Sequence, residues 1–424
     1  MGRCSVTESG KDTMKKILIL GGAYQHKKMV LAAQKMGIIT YVTDYNPVDR
    51  SPAKQIADRA LALDVMAVDE IVDFCRSEGI QGVIVPYLDP IQKPYQRICE
   101  KLGLPCFGNR KQTEIYTDKA LFKSTCQRLG LGTIPSYALS EEMTYPVLVK
   151  PRHSRGSRGQ RICFTRAEVE ASVKACGGEA QVLIERYLGK QGDKGISYIA
   201  IDGQPQFIRV EDRFLGSEAN GLERLAVMQR FPSRDNPFLP EAIDRSIKDF
   251  MIGTGLVNAP VMLQAFVRDS SIYAYDPGLR MPGDEFDVAL KAMTGIDLPM
   301  EFVHFAMTGQ FSAGLAGALP KCRQRYEKAV LLIMPCLRPG TVGAVEGWES
   351  LQELPEVLSC NRFFGVGDTV AATGDVRQRF CEICLYGSDE ALGRAVERIW
   401  ETLHVFGNDG KEMLCERYGV DVKE

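Results

Sequence analysis

What this chain lacks narrows its class before any motif is considered. It has no basic excess: 52 Lys and Arg against 54 Asp and Glu give a formal net charge of −2. That balance argues against a nucleic-acid or anionic-membrane partner, either of which favours a clear cationic surplus. No apolar stretch approaches the ~20 residues of a membrane span. The G-x-x-x-x-G-K-[ST] order of a Walker A loop is missing, and Gly21-Gly22-Ala23-Tyr24-Gln25-His26 does not complete a G-x-G-x-x-G dinucleotide fingerprint. One C-x-x-C pair exists, Cys381 and Cys384, with no second pair to complete a zinc site. It lies in an apolar run that reads as a strand, where residues three apart point to opposite faces. The 13 cysteines are odd in number and have no framework spacing, so reduced thiols and a cytoplasmic location are expected. Histidine is scarce, at four residues (His26, His153, His304, His404), and no Ser-His-Asp set is called for.

A chain of 424 residues, 45% hydrophobic and 25% charged, is an ordinary globular composition too long for a single core. Residues 1–13 are polar and unpatterned, which predicts a disordered leader or a natural start at Met14. From Ile17 the pattern alternates. A short apolar strand, Ile17 to Leu20, runs into Gly21-Gly22. A helix follows from about Gln25 to Met36, then a strand from Ile38 to Thr43 that ends at Asp44. Val68 to Glu78 carries Val68, Ile71, Val72 and Cys75 on one helical face and stops at Gly79. The repeated helix–glycine–strand punctuation predicts a parallel, doubly wound α/β sheet. Such sheets bind ligands beyond the carboxyl ends of their strands, where Gly21-Gly22, Asp44 and Asp89 fall. Gly21-Gly22 reads as a tight turn. Asp44 and Asp89 are open between helix-capping and ligand roles.

The middle of the chain carries the chemistry. Asp118 suits the start of a helix running to Leu129, whereas Lys119 in its first turn is electrostatically misplaced unless solvent or an anionic ligand compensates. The run Tyr145-Pro146-Val147-Leu148-Val149 ends in Lys150 and passes into a basic, glycine-bearing loop from Arg152 to Gly159. A lysine at a strand end supplies a point charge, and glycines let backbone N–H groups approach phosphate oxygens. Val182 to Leu188 follows. Then comes a hairpin of Ile196–Ile201 and Gln206–Val210 turned by Asp202-Gly203. A later strand pair bears Gln264 and Asp276 and runs into Arg280. Asp284 and Glu285 read as a helix start or as further metal-side oxygens. Near the C-terminus Ser388 to Leu403 reads as a capped amphipathic helix.

This ordered set resembles the ATP-grasp superfamily over nearly the whole chain, most of all its carbamoyl-phosphate-synthase-like, biotin-carboxylase-like and L-amino-acid-ligase-like members. The resemblance implies a Rossmann-like pre-ATP-grasp domain at 14–110, an ATP-grasp domain with a mobile lid at 111–310 and a small C-terminal αβ domain at 311–424. It implies ATP with Mg²⁺ (or Mn²⁺), bound as follows. Lys119 and Lys150 hold the phosphates, and a lid including Ser154, Gly156, Ser157 and Gly159 folds over them. Glu185, Arg186, Tyr187 and Leu188 grip adenine, with Glu185 toward its exocyclic amine. Gln264 and Asp276 sit at the metal, and Arg280 steadies the phosphate or acyl group. The family pattern commonly has Glu where this chain has Asp276 and Asn where it has Gly278. The implied reaction joins a small carboxylate, such as an amino acid, to an amine through an acylphosphate, with Lys150 and Arg280 as the catalytic pair. A carbamoyl-phosphate-synthase-like carboxyphosphate former is the alternative, although no glutaminase triad or second ATP-grasp half is evident. A nucleotide-binding protein without catalysis is the other. Small-molecule partners and a homodimer are compatible with the resemblance; a nucleic acid or membrane is not expected.

Overall fold

The computed structural model describes residues 14–153, 159–235, 237–268, 270–322 and 327–420. They fall into two compact units, one within 14–85, 94–106 and 299–309, the other within 86–93, 107–298 and 310–420.

The first unit is built on four parallel strands, β1 (Lys16–Leu20), β2 (Ile39–Thr43), β3 (Arg59–Leu61) and β4 (Gly82–Ile84), in the order β3-β2-β1-β4. Helices α1 (Lys27–Lys35) and α2 (Val68–Glu78) bury Met29, Val30, Ile71, Val72 and Cys75. α2 ends where Gly79 takes the left-handed conformation at φ 68, which lets its N–H reach back to the Cys75 carbonyl. Gly21 turns at φ 105, and a side chain at Gly22 would collide with Ser51 Oγ and the Asp44 carboxylate. Asp44, 6% exposed, is held by its own loop. It pairs with Lys54 at 2.9 Å and accepts from Ser51 and the Asn46 backbone, fixing the loop after β2.

The second unit contains two larger sheets. The smaller has the antiparallel order β5-β8-β6-β7, made of β5 (Ser136–Tyr137), β6 (Val147–Pro151), β7 (Arg161–Cys163) and β8 (Val182–Arg186). Its inner face packs Val147, Val149, Val182 and Ile184 against Val169 and Val173. The larger has eight strands: β9 (Asp193–Ile201), β10 (Gln204–Leu215), β11 (Ala226–Phe231), β12 (Ala259–Arg268), β13 (Ser271–Gly278), β14 (Ala329–Ile333), β15 (Val357–Arg362) and β16 (Cys381–Gly387). In space they run β13-β12-β9-β10-β11-β14-β16-β15. Helix α3 (Lys119–Leu129) is capped by Asp118, whose carboxylate accepts from the Ala120 and Leu121 N–H groups. Helix α4 (Phe286–Thr294) starts just beyond β13, and α5 (Asp389–Thr402) is capped by Ser388 and covers β16 with Leu392, Val396 and Ile399.

One strand is longer than its sequence suggests. The apolar pattern predicts a strand from Gln206 to Val210, but β10 continues through Glu211, Asp212 and Arg213. These charges stay in the ladder because each finds a buried counter-charge: Glu211 with Arg209 on β10 itself at 2.9 Å, Arg213 with Asp193 on β9 at 2.6 Å and Asp212 with Lys194 on β9 at 2.5 Å. Buried charge is tolerated where it is paired. The Cys381–Cys384 segment is a strand, as expected, and both thiols are buried. Among the described residues no helix is long and apolar enough to cross a membrane.

Candidate functional site

Within the second unit, Lys150 is the penultimate residue of β6, with only 1% of its surface exposed. Its Nζ lies 2.6 Å from Glu185 Oε2 and donates to the Tyr275 carbonyl at 3.1 Å. Glu185 is on the neighbouring strand β8. Leu148 is its register partner, so Lys150 and Glu185 share one face as a diagonal pair. The other Glu185 oxygen accepts from Lys123 Nζ at 2.7 Å. Lys123 lies one turn beyond Lys119 on α3, and Lys119 Nζ pairs with Asp276 Oδ1 at 2.8 Å. Three buried ammonium groups thus converge on two carboxylates. Burial pulls Lys123 below the usual lysine range against the attraction of Glu185, and Lys150 adds repulsion. Burial raises the Glu185 carboxyl, but the charges of Lys150 and Lys123 together outweigh it and hold the group below the usual range.

A β-bulge ties this cluster to the eight-stranded sheet. Gln264 on β12 opposes Asp276 on β13, and Ala265 opposes Ala274, which leaves Tyr275 as an extra residue. Bulges re-aim side chains and free ladder groups. Here the freed carbonyl is the one Lys150 uses, while the Tyr275 hydroxyl donates to Asp193 at 2.8 Å and accepts from Arg213 at 2.6 Å. Gln264 and Asp276 lie side by side on one face as two oxygen donors. Gly278 adds none, but a Cβ at that position would sit 3.3 Å from Asp89 Oδ1. Asp89 reaches the site from distant sequence and is gripped by both Nε and an Nη of Arg280 at 2.5 Å, a fork-to-fork pair.

The remaining expected site residues are placed as follows. Glu185 is engaged by two lysines and is 2% exposed, whereas Arg186 beyond it is exposed. The Arg186 and Tyr187 N–H groups bond to the Pro135 and Pro146 carbonyls, and Leu188 accepts from Arg268. Gly159 turns at φ 72 against Pro151. Ser154, Gly156 and Ser157, with the expected lid they belong to, lie outside the described residues. Arg152, at the start of that loop, pairs with Asp118 at 2.7 Å, and His153 Nε2 stands 3.8 Å from the same carboxylate. Asp284 accepts from the Phe286 N–H at the start of α4 and also pairs with Arg209 at 2.9 Å. Sequence reasoning passed over Lys123, Arg209, Glu211 and Arg213. Lys123 had a signal: it is a cation one turn from Lys119, between the buried Phe122 and Cys126.

Comparison with known proteins completes the picture. Residues 118–212 match the family model "Carbamoyl-phosphate synthase L chain, ATP binding domain". That span opens at the Asp118 cap and takes in Lys119, Lys123, Lys150, Glu185, Asp193, Lys194, Arg209, Glu211 and Asp212, but not Arg213. The chain is 27% identical over 190 residues to the formate-dependent phosphoribosylglycinamide formyltransferase of Sulfurisphaera tokodaii, covering 41% of this chain and 47% of that protein. It is 24% identical over 217 residues to the carbamoyl phosphate synthase large chain of Xylella fastidiosa, covering 46% of this chain and 20% of that one. The L-amino acid ligase of Bacillus licheniformis superposes with a TM-score of 0.77 over 93% of this chain and 99% of its own, at 18% identity.

Over residues 118–212 the chain is similar to that ATP-binding domain, and its fold is similar to that of the L-amino acid ligase. Its α/β architecture is the ATP-grasp one. The chain spans about half the length of the first of these relatives and a fifth of the second. The matched segment supplies the lysine cluster, and the β12–β13 pair that meets it lies C-terminal to the match.

Proposed function

We propose that this protein is an Mg-ATP-dependent carboxylate–amine ligase acting through an acylphosphate, with a small carboxylate such as an amino acid as the activated substrate. One observation carries the reading. Among the described residues the ammonium groups of Lys119, Lys123 and Lys150, each at least nine-tenths buried, converge on the carboxylates of Glu185 and Asp276 at the edge of a sheet bearing oxygen donors. Ammonium groups gathered in this way suit a polyanion, and a triphosphate supplies one.

The donor set fits one Mg²⁺ ion. Gln264 and Asp276 are hard oxygen donors on one face, and Mg²⁺ accepts few protein ligands while keeping waters and phosphate oxygens. Such an ion, or Mn²⁺ in its place, neutralises phosphate charge as it develops. Lys119 would pass from Asp276 to a phosphate oxygen as Asp276 turns to the metal. Lys150 and Lys123 stay anchored by Glu185, which aims them without neutralising both. Arg280, oriented by Asp89, steadies the acyl or phosphoryl oxygens. In the first step a carboxylate oxygen bonds to the γ-phosphorus of ATP, the bond to the bridging oxygen breaks, and ADP leaves. In the second the amine nitrogen bonds to the acyl carbon, the C–O bond to phosphate breaks, inorganic phosphate departs, and the amine gives up a proton.

The site residues Gly159, Arg186, Tyr187 and Leu188, with Ser154, Gly156 and Ser157, are assigned to nucleotide contact within this proposal. The test is an ATP-dependent phosphate-release screen with amino acids and small carboxylates, singly and paired with amines. Release that requires a pair supports ligation. Release with bicarbonate alone would move the reading to carboxyphosphate formation, and nucleotide binding without turnover across the panel would end the enzymatic reading.

A further inference from the structure

Lys150 owes its position to more than Glu185, because two of its contacts come from one other residue. Its Nζ donates to the Tyr275 carbonyl at 3.1 Å and stands 5.5 Å from the centre of the Tyr275 ring. The first contact is a hydrogen bond. The second sets a cation over an aromatic face, inside the ~6 Å reach of that attraction. A shift of Tyr275 disturbs both at once.

Tyr275 is the bulged residue between β12 and β13, so no residue opposite it on β12 fixes it. A bulge leaves its extra residue outside the ladder and open to being re-aimed. Another contact has to set the ring and, with it, the direction of the carbonyl. Phe266 offers an apolar flank, its ring tilted by 36° with the centroids 5.4 Å apart. Apolar burial is non-directional, and a phenylalanine at 275 would make that contact equally well.

The directional contacts are at the hydroxyl. It donates to Asp193 Oδ1 at 2.8 Å and accepts from Arg213 Nη1 at 2.6 Å. The same Nη1 lies 2.6 Å from Asp193 Oδ2, which closes a ring of three contacts. The two partners come from different strands. Glu211 on β10 opposes Gly195 on β9, so two positions along the ladder Arg213 faces Asp193 on the same side of the sheet. Both side chains are buried. Burial pushes the Tyr275 phenol well above its ordinary value, so it stays protonated and remains a donor. Asp193 and Arg213 answer each other's charge without the phenol. A hydroxyl carried into such a place costs desolvation that a phenylalanine would avoid, and what it gains is a fixed end for the ring.

We propose that Tyr275 is the positioning residue of Lys150: Asp193 and Arg213 pin its hydroxyl, and its ring and carbonyl hold the ammonium at the spot from which it meets phosphate oxygens. The two central strands β9 and β10 thereby set the placement of a lysine carried by the other sheet of the unit. The task of Lys150 rests on the ligase reading; its position does not.

The test is Tyr275→Phe, which keeps the ring, the carbonyl and the Asp193–Arg213 pair and removes only the hydroxyl. In crystals of the full chain Lys150 Nζ should lie about 1 Å or more from its wild-type position, a displacement of the size that costs up to ~10²-fold in rate. The kcat of ATP turnover should accordingly fall about 10–100-fold, while KM for ATP changes by less than about threefold. In a Lys150→Met background the same substitution should cost less than about twofold more, because the group it acts through is already gone. An unmoved Lys150 would overturn the assignment, above all if a lowered urea midpoint were the only effect, the mark of a merely structural tyrosine. A full-sized loss of kcat in the Lys150→Met background would overturn it as well. Arg213→Lys keeps a cation for Asp193 but shortens the reach to the phenol, and it carries the same three readouts if Tyr275→Phe fails to fold. Position and task separate cleanly. A displaced Lys150 with unchanged turnover, or in a protein that turns over no acid–amine pair, upholds the positioning and counts against the ligase reading; an unmoved Lys150 in a protein that ligates ends the positioning alone.

Discussion

Lys150→Met is the substitution that separates charge from packing most cleanly. Methionine matches most of the lysine stem, so the apolar contacts of a side chain only 1% exposed are largely kept. What disappears is an ammonium 2.6 Å from Glu185 and 3.1 Å from the Tyr275 carbonyl. Breaking a buried pair outright costs about 3–5 kcal/mol, because a charge is left uncompensated. Here Glu185 keeps Lys123 at 2.7 Å, so the carboxylate is not orphaned and the stability loss should fall well below that range. Turnover should respond differently. Loss of one preorganised donor in a water-excluded site costs on the order of 3 kcal/mol in the transition state, roughly a hundredfold or more in rate. The expected result is ATP turnover down by ~10²–10³ with a nearly unchanged urea midpoint. Wild-type turnover with wild-type unfolding would remove Lys150 from the chemistry, and loss of both together would make it a structural residue.

Three further outcomes follow from the same geometry. Glu185→Gln leaves Lys123 and Lys150 facing each other without a counter-charge, so the urea midpoint should fall much further than for Lys150→Met; an equal or smaller fall would mean that Glu185 does not organise the lysines. Asp276→Asn should weaken the Mg²⁺ dependence of turnover severely and metal-free ATP binding only slightly, measured by Mn²⁺ or Mg²⁺ titration of nucleotide binding, since Gly278 offers no replacement oxygen; intact metal dependence would place the ion elsewhere. In the first unit, burial pushes the His26 imidazole down from 6.5 to about 4, so between those values the unfolded chain binds the extra proton; stability should decline as pH falls through that window, by about 3 kcal/mol in all, and denaturation of His26→Phe should show a flatter profile.

What the sequence made legible was local. The α2 helix is bounded at Val68 and Glu78 as its apolar spacing and Gly79 predict. Asp118 and Ser388 cap the helices their side chains suit, and Asp202-Gly203 turns the β9–β10 hairpin, with Asp202 itself at φ 50. These features depend on neighbours within a few residues. What stayed hidden depends on partners far along the chain. Arg280 meets Asp89 across 191 positions, and Arg209 meets Asp284 across 75. Lys119 looked misplaced in a helix first turn, and its compensating anion in the structure is Asp276 from β13. Polar residues at Glu211, Asp212 and Arg213 seemed to end a strand because their counter-charges, Arg209 apart, come from other elements.

The burial of so many charges cannot be explained by stability. Pairing them roughly recovers their desolvation, and apolar residues of similar volume would serve as well or better. Position is more informative. Among the described residues three ammonium groups, those of Lys119, Lys123 and Lys150, gather on Glu185 and Asp276 at the β13 edge. Lys123 and Lys150 share the single carboxylate of Glu185, so each is held close to a like charge, the costly arrangement for buried groups. A polyanion arriving at this edge would relieve that repulsion, which gives the cluster a use that stability alone does not supply.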